Sequence, residues 1–329
     1  MKKMRGAALL AAMLTVTLVA SFAAAAAWQQ WRAVEIEAAE RARAQASWIL
    51  VGALDWSRLI LREDCRPCGA DHLAEPWAVP LQEARLSSFL AADKNNTALS
   101  PDEEGVELFL SGQIVDMQSR LNIQSLVVNG TISQPTLKSF VKLFDLLNLD
   151  PLEVVQLADN LRSASTSSST GTTGTTSNLF DQQAPLKPQR LEQLVWLGLS
   201  QSSLDQLKPF IAILPTATPI NVNTAPVEVL YASVPSLDLN GARQIEAKRA
   251  QQHFRNLGEA GLVVPAIAAE LSTGQHGIAT RYFEVRGRLR LAQTIVQERS
   301  LVQRDGLDVK TLWRERATLP KFEAQGSLQ

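Results

Sequence analysis

The sequence predicts an α+β fold in which one long N-terminal helix lies on an antiparallel sheet and a large all-α subdomain is inserted between strands. Three observations lead to this prediction. A helical pattern without proline runs from the start of the chain to about residue 62. Strand-like alternation occurs near 106–117 and again at 281–316, and helical patterns fill the interval between them.

The first residues have the features of a membrane anchor. Lys2, Lys3 and Arg5 precede an uncharged apolar run at 7–27. A run of about 20 apolar residues is long enough to span a bilayer as a helix. Basic residues before the run predict a cytoplasmic N-terminus, and the tryptophans that follow suit the far interface. We therefore expect one pass through the inner membrane, with the bulk of the chain in the periplasm.

The helical pattern continues beyond the apolar run. From Trp28 to Leu61 there is no proline, and apolar residues recur at steps of three and four residues. The membrane helix is therefore predicted to continue as an amphipathic helix, to more than about 50 residues in total, and to end near 62–64.

Two processing sites fit this N-terminus. The small residues at 25–27 suit signal peptidase, which would discard the apolar run and release a secreted soluble protein. Cleavage between Gly6 and Ala7 would instead keep the run as a permanent anchor. The unbroken helical pattern downstream favours the second site.

The residues around Gly6 resemble a type IV pilin-like leader, which prepilin peptidase cuts after the glycine. The resemblance implies a type IV pilin-like fold and N-methylation of Ala7. Most pilins carry Glu at the fifth mature position, which is Ala11 here. That departure and the length of the chain resemble one branch, the minor pseudopilin K family of type II secretion systems. The stretches at 112–122 and 221–225 resemble the same family.

The resemblance and the order of the elements imply a division of the chain. The predicted segments are a leader at 1–6, a transmembrane half-helix at 7–27, the periplasmic half-helix and first part of the α/β domain at 28–124, an inserted helical domain at 125–275 with a disordered Ser/Thr loop at 163–178, and C-terminal strands at 276–329.

Local patterns predict the individual elements. Ser111-Gly112 is a plausible hairpin turn between strands at 106–110 and 113–117. The helices predicted before and within the insert are 81–91, 134–146, 151–162, 189–199 and 204–214, and the C-terminal strands are 281–291, 294–304 and 309–316.

The segment 221–257 resembles a helix-hairpin-helix unit. Asn223 or Thr224 is expected to cap its first helix, and its second helix opens near Asn240. DNA-uptake proteins contain a similar block, so a membrane-anchored, periplasmic DNA-binding protein is the alternative function. However, the hairpin lacks one glycine, and Asp238 would face the phosphate. We therefore expect a packing unit and no nucleic-acid partner, in line with a net charge of −1.

The two cysteines lie just beyond the long helix. Cys65 and Cys68 have the spacing of a redox centre, but such centres open a helix after a strand. In an oxidising periplasm we expect a small structural disulfide instead.

No enzyme is expected from the sequence. His72, His253 and His276 are scattered and lie in no catalytic motif, and no phosphate-binding glycine loop occurs.

Calcium is the ligand that the family resemblance implies. No acidic cluster has EF-hand spacing, so the residues alone favour a solvated loop at each cluster, and the resemblance is what raises calcium binding. The candidate oxygen ligands are Asp102, Glu103, Glu104, Asp116 and Gln118, and a second acidic cluster contains Asp64, Asp71 and Glu75.

Arg286, Arg288 and Arg290 share strand parity and therefore line one face of the sheet. That face is either solvated or in contact with an acidic partner subunit.

The resemblance implies a structural role. It implies a subunit at the tip of the secretion pseudopilus that starts or limits its growth and supports export of folded proteins. The implied partners are the minor pseudopilins I and J, the major pseudopilin, the inner-membrane platform, prepilin peptidase and membrane lipid.

Overall fold

The structure is a computed structural model that describes residues 5–66, 68–86, 108–169, 185–291 and 294–320. The α-helices of these residues are α1 (Arg5–Asp64), α2 (Gln134–Leu146), α3 (Pro151–Ser169), α4 (Gln201–Leu207), α5 (Val227–Ser233), α6 (Leu239–Gln251) and α7 (Leu257–Val263). The strands are β1 (Leu81–Arg85), β2 (Leu108–Asp116), β3 (Leu121–Asn122), β4 (Val127–Val128), β5 (Thr131–Ile132), β6 (Ile211–Ala212), β7 (Ile220–Asn221), β8 (His276–Gly277), β9 (Tyr282–Leu291), β10 (Thr294–Asp305) and β11 (Asp308–Pro320).

The long N-terminal helix is confirmed, including its end at Asp64. Its 60 residues make a helix about 90 Å long. Between residues 8 and 41 every side chain is exposed, so this half contacts nothing else in the described chain. Packing begins at Ala46 and continues through Leu50, Leu54 and Leu61, which are all buried against the sheet. The spacing of these residues places them on one face of the helix.

The sheet against which α1 packs has five antiparallel strands in the order β1-β2-β9-β10-β11. Strands β9 to β11 form the predicted meander, and β2 pairs with β9 although the whole helical segment separates them in sequence. The fold class is therefore confirmed: a long helix lies on an antiparallel sheet, and a helical insert lies between two strands of that sheet.

The predicted hairpin at Ser111-Gly112 is wrong, because β2 runs straight through these residues. Gly112 lies directly opposite Gly287 in β9. A Cβ atom at Gly112 would lie 3.1 Å from the Arg286 carbonyl oxygen, and one at Gly287 would lie 3.1 Å from Leu50 of α1. Gly287 therefore allows the close approach of α1 to the sheet, whereas Gly112 allows the close approach of β2 to the backbone of β9 and forms no turn.

The short helix predicted at 81–91 is also wrong where the structure describes it. Leu81–Arg85 is strand β1, which pairs with β2 at Gly112, Leu110 and Phe109. The residues of this segment favour helices on their own, but pairing along the edge of β2 overrides that preference. Residues 87–107, which include the rest of this predicted helix, lie outside the described residues.

The chain leaves the large sheet at Asp116 and returns to it at Tyr282. The helices predicted at 134–146 and 151–162 are confirmed as α2 and α3. The segment 189–199 contains a 3-10 helix at Leu191–Leu197. The predicted helix 204–214 is only half right, because α4 ends at Leu207 and β6 then pairs with β3. Pro209 contributes to this break, since proline does not continue a helix.

The Ser/Thr-rich segment was predicted to be a loop from residue 163, but α3 continues to Ser169. The hydroxyl groups of Ser163, Ser165 and Thr166 donate hydrogen bonds to the carbonyl oxygens one turn earlier in the helix. Ala164 is buried, so this extra turn also packs on the insert. Residues 170–178 of the predicted loop lie outside the described residues.

The insert has a hydrophobic core of its own. Leu121 and Ile123 pack in this core although they precede the predicted boundary at 125. Separate clusters join α1 to the sheet, one around Leu54 and Phe283 and one around Leu50. Among the described residues, one core thus lies within the insert, two clusters lie between α1 and the sheet, and a fourth, which includes Leu214 and Leu301, lies between the insert and the sheet.

The glycine pair gives the first testable prediction. Gly287→Ala places a methyl group against Leu50 and should lower the free energy of unfolding by about 1–3 kcal/mol, because overpacking forces helix and sheet apart. Urea unfolding followed by tryptophan fluorescence measures this change. Gly274→Ala is the control, since a Cβ atom there meets nothing within 4 Å. Equal stability of the two variants would contradict the packing role.

Candidate functional site

Polar side chains from five segments meet where the helical insert joins the sheet and the end of α1. We call this set the junction network. Its members are Asp71 after α1, Asp116 at the end of β2, Asn221 and Thr224 in the insert, Thr280 before β9, and Arg304 in β10.

Asp116 is the centre of the junction network and is 3 % exposed. Its Oδ1 accepts a hydrogen bond from the Gln118 amide at 2.7 Å. Its Oδ2 accepts from Thr224 Oγ1, from Thr280 Oγ1 at 2.6 Å and from Asn221 Nδ2 at 3.0 Å. Burial raises the pKa of Asp116 to about 6, although these donors favour the ionised form. One carboxyl group thus connects the sheet to the insert.

Arg304 connects the same region to the end of α1. Its guanidinium pairs with Asp71 and, at 2.8 Å, with Asp64, the last residue of α1. It also donates to the Thr280 carbonyl oxygen at 3.0 Å. Burial raises the pKa of Asp71, while the charge of Arg304 opposes the rise. A buried ion pair of this kind is costly to break from one side, so it holds the loop after α1 against the sheet.

Asn223 and Thr224 were expected to cap a helix, and the structure places them elsewhere. Helix α5 begins at Val227, with Pro226 at the N-cap position and no side-chain cap. Asn223 exchanges two hydrogen bonds with the backbone of Phe254, at 2.8 and 2.9 Å. Buried backbone groups in this turn need hydrogen-bond partners. The Asn221 side chain accepts from the Asn223 amide, and the Thr224 hydroxyl donates to the Asn221 carbonyl oxygen. Polar residues alternating with apolar ones at 220–225 were the available sequence signal for this buried network.

Of the five candidate calcium ligands, the structure describes only Asp116 and Gln118. Asp102, Glu103 and Glu104 lie outside the described residues. The oxygens of Asp116 are engaged as above, and the Gln118 side chain accepts from the Arg281 amide and donates to the Pro219 carbonyl. Neither residue therefore offers an oxygen that is free for an ion.

The second acidic cluster does come together. Carboxylate oxygens of Asp64, Asp71 and Glu75 lie within 4.8 Å of one another. Arg304 already pairs with the two aspartates, and Glu75 accepts from Trp77 Nε1 at 2.7 Å. A guanidinium thus stands where a cation would bind, so the geometry of this cluster does not favour a calcium ion.

Two histidines that the sequence separates widely are in contact beside this cluster. The rings of His72 and His253 stack with centroids 3.8 Å apart. Burial lowers the pKa of both, which favours the neutral rings. No spacing in the sequence indicated this contact, because His253 belongs to the insert and His72 follows α1.

The cysteines lie in the same region. Cys65 and Cys68 form a disulfide that closes the turn immediately after α1. This turn leads directly into the segment that carries Asp71.

The hairpin of the helix-hairpin-helix unit is occupied by side chains of the chain itself. Lys142 Nζ donates to the carbonyl oxygens of Val234, Pro235 and Leu237 at 2.7–3.0 Å. The Ser236 amide donates to Glu270, and the Gly241 amide donates to Asp238. The backbone amides of Ser236 and Gly241 therefore already bind carboxylates of the chain, whereas hairpin amides in DNA-binding units bind phosphate oxygens.

The N-terminal half of α1 is the one described helix long and apolar enough to cross a membrane, judged by length and composition. Leu9, Val19 and Phe22 are each more than half exposed. Trp28 and Trp31 follow, with ring centroids 5.3 Å apart. Such a surface is compatible with a single-pass anchor.

The raised pKa of Asp116 gives a pH-dependent prediction. An unfolded aspartate has a pKa of about 3.9. Between that pH and about 6, the folded protein therefore holds a proton at Asp116 that the unfolded chain has released. The stabilisation is complete below pH about 4 and is lost as pH rises through about 6. Relative to Asp116→Asn, the wild-type free energy of unfolding should fall by about 2 kcal/mol between pH 4.5 and 7.5.

Urea titrations of both proteins at the two pH values measure this difference. Asp145→Asn, on the exposed side of α2, controls for the substitution itself. The assignment would be contradicted if the wild-type free energy of unfolding, relative to that of Asp116→Asn, stayed constant or rose between the two pH values.

Comparison with known proteins agrees with this architecture. Two family models described as type II secretion system protein K match residues 119–216 and 220–279. The type II secretion system protein K of Pseudomonas aeruginosa PAO1 is 26 % identical over 324 residues, covering 94 % of this chain and 88 % of that protein. A chain in the crystal structure of the GspK-GspI-GspJ complex from the type 2 secretion system of enterotoxigenic Escherichia coli has a TM-score of 0.59 and 17 % identity, and covers 85 % of this chain and 98 % of that one. The structural likeness supports the fold, and the sequence matches show that the chain is similar to the type II secretion system protein K family over most of its length.

Proposed function

We propose that this protein is a minor pseudopilin that occupies the tip of the type II secretion pseudopilus. In this role α1 anchors the subunit in the inner membrane before assembly and packs into the filament afterwards. The helical insert stays at the end of the filament, where the subunit starts or limits growth with the minor pseudopilins I and J. Through this assembly it supports export of folded proteins from the periplasm.

The observation that carries the proposal is the position of the insert. The junction network ties the insert to the residues that follow the C-terminal end of α1, about 90 Å from the membrane-inserted end. The bulk of the molecule is therefore fixed at the end remote from the membrane. A subunit stacked above it would have to occupy the same space, which favours a terminal position.

Two further observations support this role. Ala11 stands where most pilins have a Glu, so the charge that usually pairs with a neighbouring subunit's N-terminus is missing. In addition, the solved complex with a similar fold contains GspK together with GspI and GspJ. We extend these partners to this chain as part of the proposal, along with the major pseudopilin and the inner-membrane platform.

We infer that the helix-hairpin-helix unit serves as a packing element in this role. Lys142 and Glu270 hold the hairpin from within the insert, and Asp238 caps α6. A DNA backbone would have to displace these carboxylates, whose charge repels phosphate. Membrane-anchored DNA uptake is therefore the less favoured function.

The remaining expectations stay predictions. They are N-methylation of Ala7 and a bound calcium ion, whose candidate ligands at 102–104 lie outside the described residues.

Processing of the N-terminus tests the anchor directly. On co-expression with prepilin peptidase, intact-mass analysis should give a chain that begins at Ala7. Gly6→Val should block this cleavage, because the enzyme cuts after the glycine in the leaders that this N-terminus resembles. Ala27→Leu is the control, because it alters the competing signal-peptidase site. The mature chain of this variant should still begin at Ala7 and differ in mass only by the substitution. A product that begins at Trp28 would contradict the proposal.

A further inference from the structure

The face of the sheet that points away from α1 carries a cleft rich in arginine. Val285, Gly287 and Leu289 of β9 contact α1 or lie in its clusters, so Arg286 and its neighbours of equal parity face the other way. Between this face and the insert lies a cavity of about 410 Å³. We call it the arginine cleft.

The charges inside the arginine cleft do not balance. Glu284 is 3 % exposed and pairs with Arg286 at 2.5 Å, while Arg299 approaches it at 3.6 Å. Arg120 lies beside these groups and donates only a long bond, 3.4 Å, to the Lys208 carbonyl; among the described residues no carboxylate lies within 4.0 Å of it. Three guanidinium groups therefore share one carboxylate.

The remaining charged side chains of the wall do not correct this excess. Arg190 pairs with Glu315 at 2.9 Å, Lys208 with Asp205 and Arg314 with Glu298. Glu192 is exposed at the rim. The cleft thus contains uncompensated positive charge close to Arg120. Burial lowers the pKa of Arg120, as do the charges of Arg286 and Arg299, while the charge of Glu284 opposes this shift.

The walls of the cleft suit a protein ligand. Met117, Leu191 and Trp313 supply apolar surface beside the arginines, which fits the methylene groups of an acidic side chain. In addition, β11 is the last strand in the order of the sheet, and its outer edge pairs with no other described strand. An edge of this kind offers backbone hydrogen bonds to an extended segment.

We infer that the arginine cleft is a docking site for an acidic side chain, Asp or Glu, presented by a neighbouring protein subunit. The carboxylate lies between Arg120 and Arg299 and supplies the negative charge that the cleft lacks. Charge-assisted hydrogen bonds to arginine, often bidentate, give such a contact its specificity. This inference rests on the proposed assembly role, since a neighbouring subunit is the occupant.

Peptide binding to the purified full chain in detergent tests the inference. The probe is a fluorescein-labelled peptide of alternating Glu and Leu, and its partner has Gln in place of Glu. Fluorescence anisotropy at low salt should show binding of the Glu peptide at least about tenfold tighter than binding of the Gln peptide, because only the former supplies charge.

Two substitutions locate the contact. Arg120→Ala and Arg299→Ala should each weaken binding of the Glu peptide by about tenfold, whereas Arg243→Ala, exposed on α6, should leave it unchanged. Arg299 is half exposed, so its removal leaves the fold intact and keeps the test valid should Arg120→Ala misfold.

Three results would overturn the inference: equal binding of the Gln peptide, unchanged binding by Arg299→Ala, or full displacement of the peptide by an equal concentration of sodium acetate, which would indicate a site for free anions. The experiment uses the isolated chain, so its failure leaves the position of the subunit in the filament to be measured separately.

Discussion

The buried carboxyl group of Asp116 is the constraint on which the rest of the structure depends. It lies at the point where the chain leaves the sheet, and it accepts hydrogen bonds from the insert and from the segment that returns to the sheet. Removing a carboxyl group from water is costly unless donors surround it. Because these donors come from different segments, the carboxyl is satisfied only when insert and sheet have one particular relative position.

That position determines the shape of the molecule. Arg304 extends the junction network to Asp64 at the end of α1, and Gly287 lets α1 lie close on the sheet. The insert is thus held at one end of a long helix whose other end is apolar and exposed. The proposed function rests on this polarity: one end suits a membrane or a filament core, and the insert at the other end is proposed to block the addition of a further subunit.

The sequence predicted the elements whose signal is local and periodic. The long helix, α2 and the strands of the C-terminal meander have strong periodicity and appear where expected. The wrong assignments depend on contacts made far away in the chain. Gly112 looks like a turn until Gly287 is placed opposite it, and Leu81–Arg85 looks helical until β2 pairs with it. The site was less predictable than the fold, because Asn223, Thr224 and Asp116 satisfy buried backbone and one another, whereas local patterns indicated helix caps and an ion ligand.

Position in the filament is the property that tests the central claim most directly. Pseudopili assembled with an epitope-tagged copy of this protein can be labelled with gold-conjugated antibody and examined by electron microscopy. If the insert fixes the subunit at the tip, label should occur at one end of each filament, together with the minor pseudopilins I and J. Label distributed along the filament length would show that the insert does not prevent stacking, and would contradict the account.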